Sequence, residues 1–191
     1  MEHIMSSQNQ ILIQHIHEQI ALEEQLCKII EKQISEINEP NYIDAKNLLI
    51  RAFKTLESQF APLNSILDKL EDASSIDIFK TESNGIEMKN LLDPEQKNSI
   101  ISRILRDDYS ALNLITMSNT LLHTTALALE SKEVAELALQ HIKNLAPVVI
   151  KIGQMVPDVV TRELKIKSPL IDLNIAKTAL KNTQQAWKEN K

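Results

Sequence analysis

Five histidines, one cysteine and a few acids that interrupt apolar stripes are the residues of this 191-residue chain that could do chemistry. Histidines and carboxylates that meet across helices hold metal ions or pass protons. The histidines are His3, His15, His17, His123 and His141. Three residues before the last four stand Leu12, Gln14, Thr120 and Ala138, so no Glu-x-x-His exists. Four residues after the five stand Ser7, Gln19, Ala21, Leu127 and Leu145, so no His-x-x-x-Glu exists either. His15 and His17 do not share a helix face, and they read as solvated. The chain has no glycine-rich phosphate loop and no Gly-x-Ser-x-Gly elbow. A single cysteine, Cys27, excludes an internal disulfide and a multi-cysteine metal site.

What remains is a set of five candidates: Glu24, Glu57, Asp108, His123 and His141. Glu24 lies about as far before the turn at Pro40 as Glu57 lies after it, so paired helices bring the two level. Two carboxylates at one level repel unless a proton, a cation or water stands between them. The alternative is that both lean outward to solvent. His123 and His141 flank a turn at Ser131-Lys132, each roughly 13 Å from it at about 1.5 Å of rise per residue. They face each other either as neutral histidines bonded to hydroxyls such as Thr120 and Thr124, or as a polar centre for an ion or small anion. A divalent metal is the cofactor such a centre would take; otherwise none is expected.

Long helices must position these groups. Helix 1 is expected from about Ser7 to Ile37, with Ile13, Ile16, Ile20, Cys27, Ile30, Ile34 and Ile37 at helical spacing. The gap at Glu23-Glu24 points one acid near the core. Asn38-Glu39-Pro40-Asn41 is a turn. Helix 2 follows from about Ile43 to Leu70, and Pro62 predicts a kink near Ser58 to Pro62. Residues 71–92 lose the period and contain Ser83-Asn84-Gly85, a turn signal. Asp93 and Pro94 read as cap and first residue of helix 3, whose stripe of leucine and isoleucine is interrupted by Asp108 and Asn119. Helix 4 follows Ser131, with Val134, Ala138, His141, Leu145, Val148 and Ile152 inward and bends at Pro147 and Pro157. Ser168-Pro169 opens a fifth helix to about Lys188, with Leu173, Ala176, Leu180 and Trp187 packing across the others.

These elements make a single all-α domain: an antiparallel four-helix bundle of two helical hairpins, about 7–70 and 93–164, joined by a long crossover at 71–92, plus a C-terminal helix at 169–188. A faint repeat supports two hairpins. Phe60-Ala61-Pro62-Leu63 echoes Leu145-Ala146-Pro147-Val148, and at the same offset Glu23 falls on Asp108.

Two hairpins, a crossover and an acid recurring in the first helix of each resemble the ferritin-like superfamily. Tyr109 to Leu164 is similar to the second hairpin of small bacterial ferritin-like proteins of the YciF type. The resemblance implies a glutamate on the first and third helices and Glu-x-x-His on the second and fourth for a di-metal site. This chain departs from that pattern. Glu57 is followed three later by Phe60, and neither Glu133-x-x-Glu136 nor Gln140-His141 restores the motif. A di-iron site of the family's kind is therefore not expected, nor are the oxidase and reductase activities that depend on it.

Composition narrows the remaining classes. Hydrophobic residues are 43%, charged residues 25%, and only two are glycine, which suits long helices and few turns. A net charge of −5 gives no basic footprint for nucleic acid. No apolar run reaches membrane-spanning length, and helix 5 is amphipathic but is expected to dock on the bundle rather than a membrane. The acidic, polar N-terminus shows no signal peptide, so a cytoplasmic address is expected. The functional expectation is a non-catalytic bundle acting through protein contacts or homo-oligomerisation. The alternative is a rebuilt metal or small-ligand site in the core.

Overall fold

The computed structural model describes residues 2–73, 100–167, 172 and 174–189. Among these the chain is all-helical, with five α-helices and no strand. They are α1 (Glu2–Glu36), α2 (Ile43–Ala73), α3 (Ile101–Ala128), α4 (Lys132–Lys167) and α5 (Ile175–Glu189), with a 3-10 turn at Pro40–Tyr42 between α1 and α2. The turn falls where proline removes a backbone donor and fixes φ. α2 runs unbroken through Pro62, and α4 through Pro147 and Pro157.

α3 is described from Ile101, and the expected start signal at Asp93-Pro94 precedes it. Those two residues lie outside the described residues, as do the Gly85 turn and most of the expected crossover. Ile100 is extended, at φ −61° and ψ 127°, and offers no side-chain cap. The cap comes from α4 instead. Glu163 accepts the Ser102 backbone N–H at 2.8 Å and the Ser102 hydroxyl at 2.6 Å. A carboxylate there satisfies an orphan donor and complements the positive end of the helix dipole. At its other end α3 closes on Glu130 in the left-handed region, φ 57°, with Ser131 N–H bonded to Ala126 O at 2.8 Å.

The four long helices pack around one core. Bonds tie the first turn of α3 to the last turns of α4, and His123 near the end of α3 to Ala135 near the start of α4. Lys69 near the end of α2 pairs with Glu133 at the start of α4, while Arg162 near the end of α4 binds Asp44 at the start of α2. Arg162 also bonds Asp158 and the Asn41 carbonyl, and it lies 5.9 Å from the Tyr42 ring centroid.

Apolar side chains fill two clusters in this core. One gathers Leu26 and Ile30 of α1, Leu49 and Leu56 of α2, Leu105, Leu112 and Ile115 of α3, and Leu145 and Ile152 of α4. The other gathers Leu12 and Ile16, Leu63 and Leu67, Leu122 and Ala126, and Val134 and Ala138, from the same helices in the same order. Burial at this scale is the main stabilising term, about 25 cal/mol per Å² of apolar surface. Among the described residues no helix is long and apolar enough to cross a membrane.

α5 is expected to pack across the other helices. It lies against α4, but none of its described side chains is buried, and Trp187 is 68% exposed. Ser168, Pro169 and Leu173 lie outside the described residues.

Candidate functional site

Between the two apolar clusters the helices turn polar residues inward at one level. Helical spacing explains each. On α1, Glu23 is seven after Ile16 and seven before Ile30, so it stays on the buried stripe, and Gln19 lies one turn away. On α2, Gln59 sits three after Leu56 and four before Leu63. On α3, Asn119 is four after Ile115. On α4, His141 is three after Ala138 and four before Leu145. Glu23, Gln19 and Asn119 have no exposed surface, Gln59 has 1% and His141 2%. Each of the four helices thus contributes at least one polar side chain to a closed layer.

Glu23 is the hub. Gln19 Nε2 donates to its Oε1 at 2.5 Å. The Gln59 amide reaches both neighbours. In one orientation it donates to the His141 carbonyl at 3.5 Å; reversed, it donates to Glu23 at 2.9 and 3.3 Å. His141 Nδ1 stands 3.9 Å from Glu23 Oε1, too far for a hydrogen bond. Asn119 Nδ2 donates to the Ile115 carbonyl at 3.1 Å. The acceptor oxygens Gln19 Oε1 and Asn119 Oδ1 are buried without a partner.

Burial works against charge in this layer. Burial pushes Glu23 up to about 7, against the opposing pull of hydrogen bonds from Gln19 and Asn119. Burial pushes His141 down to about 4, so its imidazole is neutral at neutral pH. Such a layer can hold a proton, bind a small polar guest at its orphan acceptors, or fix which residues of the four helices stand opposite one another.

A second buried acid lies further along α3. Asp108 has no exposed surface, and neither of its oxygens has a hydrogen-bond partner at good geometry. Burial raises it to about 7, and Gln33 of α1 works against that. The Gln33 Oε1 atom is likewise buried and unpartnered, so a proton on Asp108 would satisfy both groups. Cys27 is buried, and desolvation with the nearby glutamates, Glu23 first, pushes its thiol up to about 12. It is not a nucleophile at neutral pH.

The five sequence candidates are distributed as follows. His141 sits in the polar layer, and Asp108 is buried elsewhere. Glu24 and Glu57 are both exposed, and the inward places on their helices belong to Glu23 and Gln59. One residue of shift turns a side chain by about 100°, which is enough to exchange core for solvent. His123 is half-buried, and its Nδ1–H donates to the Ala135 carbonyl at 2.8 Å. That places its ring contact six residues before His141, about 9 Å along α4. Among the described residues no three of His, Cys, Asp and Glu converge as metal ligands do. Outside the core, a shallow groove between α2 and α4 is lined by side chains that include Arg51, Lys54, Lys143 and Pro147. No family model, curated protein or solved structure matches the chain.

Proposed function

We propose that the chain is a non-catalytic, ferritin-like helical scaffold that acts through protein contacts. In this reading α1–α2 and α3–α4 are two antiparallel hairpins joined by a crossover. The bonds of Ser102 to Glu163 and of His123 to Ala135 support opposite directions for α3 and α4. The Lys69–Glu133 and Arg162–Asp44 pairs do the same for α2 and α4. Together these leave α2 and α3 running the same way, which requires a connection the length of the bundle. A cytoplasmic address belongs to the same proposal.

The polar layer carries the functional reading. At the middle of the core, Glu23 is held by glutamine amides within a shell of neutral side chains and enclosed by apolar clusters on both sides. Buried polar groups that must meet their partners specify one register of packed helices over its neighbours. The layer therefore acts on the architecture, and the protein's work falls to its surface.

One observation favours a second reading. Gln19 Oε1 and Asn119 Oδ1 are orphan acceptors beside a carboxyl group, a donor set suited to a cation or a small hydrogen-bond donor. Thermal melting with and without manganese, ferrous iron or zinc separates the two. The scaffold reading expects no shift in Tm that depends on the layer. A metal-dependent rise in Tm that disappears in His141→Leu would transfer the assignment to a core binding site.

A further inference from the structure

We propose that the outer face of α3 is where two copies of this chain dock, a conclusion that rests on the scaffold reading and names its partner. From Tyr109 to its last residue, Ala128, α3 carries no Asp, Glu, Lys or Arg, in a chain that is 25% charged. Its one histidine is turned to the Ala135 carbonyl of α4. The outer faces of the other long helices are charged, as exposed Glu24, Glu57 and Lys143 show.

The α3 face is also apolar at its centre. Leu114, Met117, Ser118 and Leu121 share one side of the helix, at spacings of three, four and seven. Met117 is 59% exposed and Leu121 57%. Several polar side chains around them donate to their own helix. The Ser110 hydroxyl donates to Arg106 O at 3.1 Å, Thr120 to Thr116 O at 2.9 Å and Thr124 to Thr120 O at 2.8 Å. Asn113 Nδ2 donates to Tyr109 O at 2.7 Å. Covering this face strips water from methyl and methylene groups without desolvating a charge.

Charge and symmetry select a second copy as the occupant. Two chains of net charge −5 repel when charged faces meet, and this face is where that cost is least. Its pattern is also self-complementary. A two-fold axis between Met117 and Ser118 sets Leu114 of one copy against Leu121 of the other, and Ser110 against Thr125. A two-fold contact requires that kind of reciprocal match.

Sedimentation velocity of the full chain across the micromolar range is the test. The wild type should show a monomer–dimer equilibrium. Leu121→Lys should weaken it by about 30-fold or more, the effect of losing a buried anchor. Ile150→Lys, at an equally exposed apolar site on α4, should leave it unchanged. Circular dichroism checks that Leu121→Lys folds; if it does not, Met117→Lys supplies the same measurement. A monomer at every concentration overturns the proposal, as does a dimer that neither lysine weakens. Either result leaves a scaffold with another partner standing, whereas metal binding at the polar layer removes the scaffold reading and leaves the dimer untouched.

Discussion

Asp108 and His141 are buried ionisable side chains with opposite pH signatures. Asp108 titrates near 7 in the folded chain against an ordinary 3.8, and burial is the main cause. Its stabilising effect is complete below pH 3.8 and is lost as pH rises toward 7, because the unfolded chain gives up the proton first. Asp108→Asn should therefore match the wild type near pH 4 and exceed it by up to about 4 kcal/mol above pH 7, as read by urea unfolding. His141 runs the other way. Its folded value near 4 lies below the ordinary 6.5, so its contribution is complete above pH 6.5 and is lost as pH falls toward 4. His141→Leu should gain on the wild type across that window. A cost that is equal at pH 5 and pH 8 would mean that the ring acts by packing alone.

Residue positions were only partly legible in the sequence. The stripe gap at Glu23-Glu24 marked the right turn of α1, and the repeat already set Glu23 opposite Asp108. Counting residues from the Pro40 turn favoured Glu24 because a count fixes level along a helix and not the direction in which a side chain points. Gln59 was hidden by its neighbour Phe60, whose ring looked like the stripe residue and is half-buried beside it. Asn119 stood out as a break in the stripe of α3, but no single-helix pattern reveals that it meets Glu23 of α1.

Helices are the scale at which the sequence spoke most clearly. Pro40 and Ser131-Lys132 mark real breaks, and the apolar stripes of α1 to α4 are the core. The start of α3 and the packing of α5 are the least legible parts of the pattern. A local cap signal and an amphipathic face both depend on what the rest of the chain brings to them. Three element-scale outcomes follow. Gly153 lies inside α4, where a Cβ would meet the Tyr109 ring at 3.4 Å, an ordinary contact. Gly153→Ala should raise stability by about 0.5–1 kcal/mol in thermal or urea unfolding, the helix-propensity difference. Glu130 occupies the left-handed position that ends α3, so Glu130→Gly should gain up to about 1 kcal/mol. Arg162 joins the start of α2 to the end of α4 through Asp44, Asp158 and the Asn41 carbonyl, and it holds Asp44 below the ordinary carboxylate range. Arg162→Ala should cost about 1–2 kcal/mol, more than a lone surface pair, because several charge-assisted bonds are lost together.

At the scale of the whole molecule, two apolar clusters are divided by a layer to which all four long helices contribute. The charge state of Glu23 is a property of that assembly, since its desolvation and its amide partners come from several helices at once. A structural layer keeps Glu23 protonated; a cation site would keep it ionised and held. The two cases give opposite signs for Glu23→Gln. With a folded value near 7 and an ordinary value of 4.5, the acid's contribution is complete below pH 4.5 and lost as pH rises to 7. Urea unfolding of wild type and Glu23→Gln from pH 4.5 to pH 8 is therefore the most direct measurement. The scaffold account expects the two to be equal at pH 4.5 and the variant to be more stable by up to about 3 kcal/mol at pH 8. A variant that is less stable than the wild type at pH 8 would mean that Glu23 is an ionised ligand, and it would contradict the account.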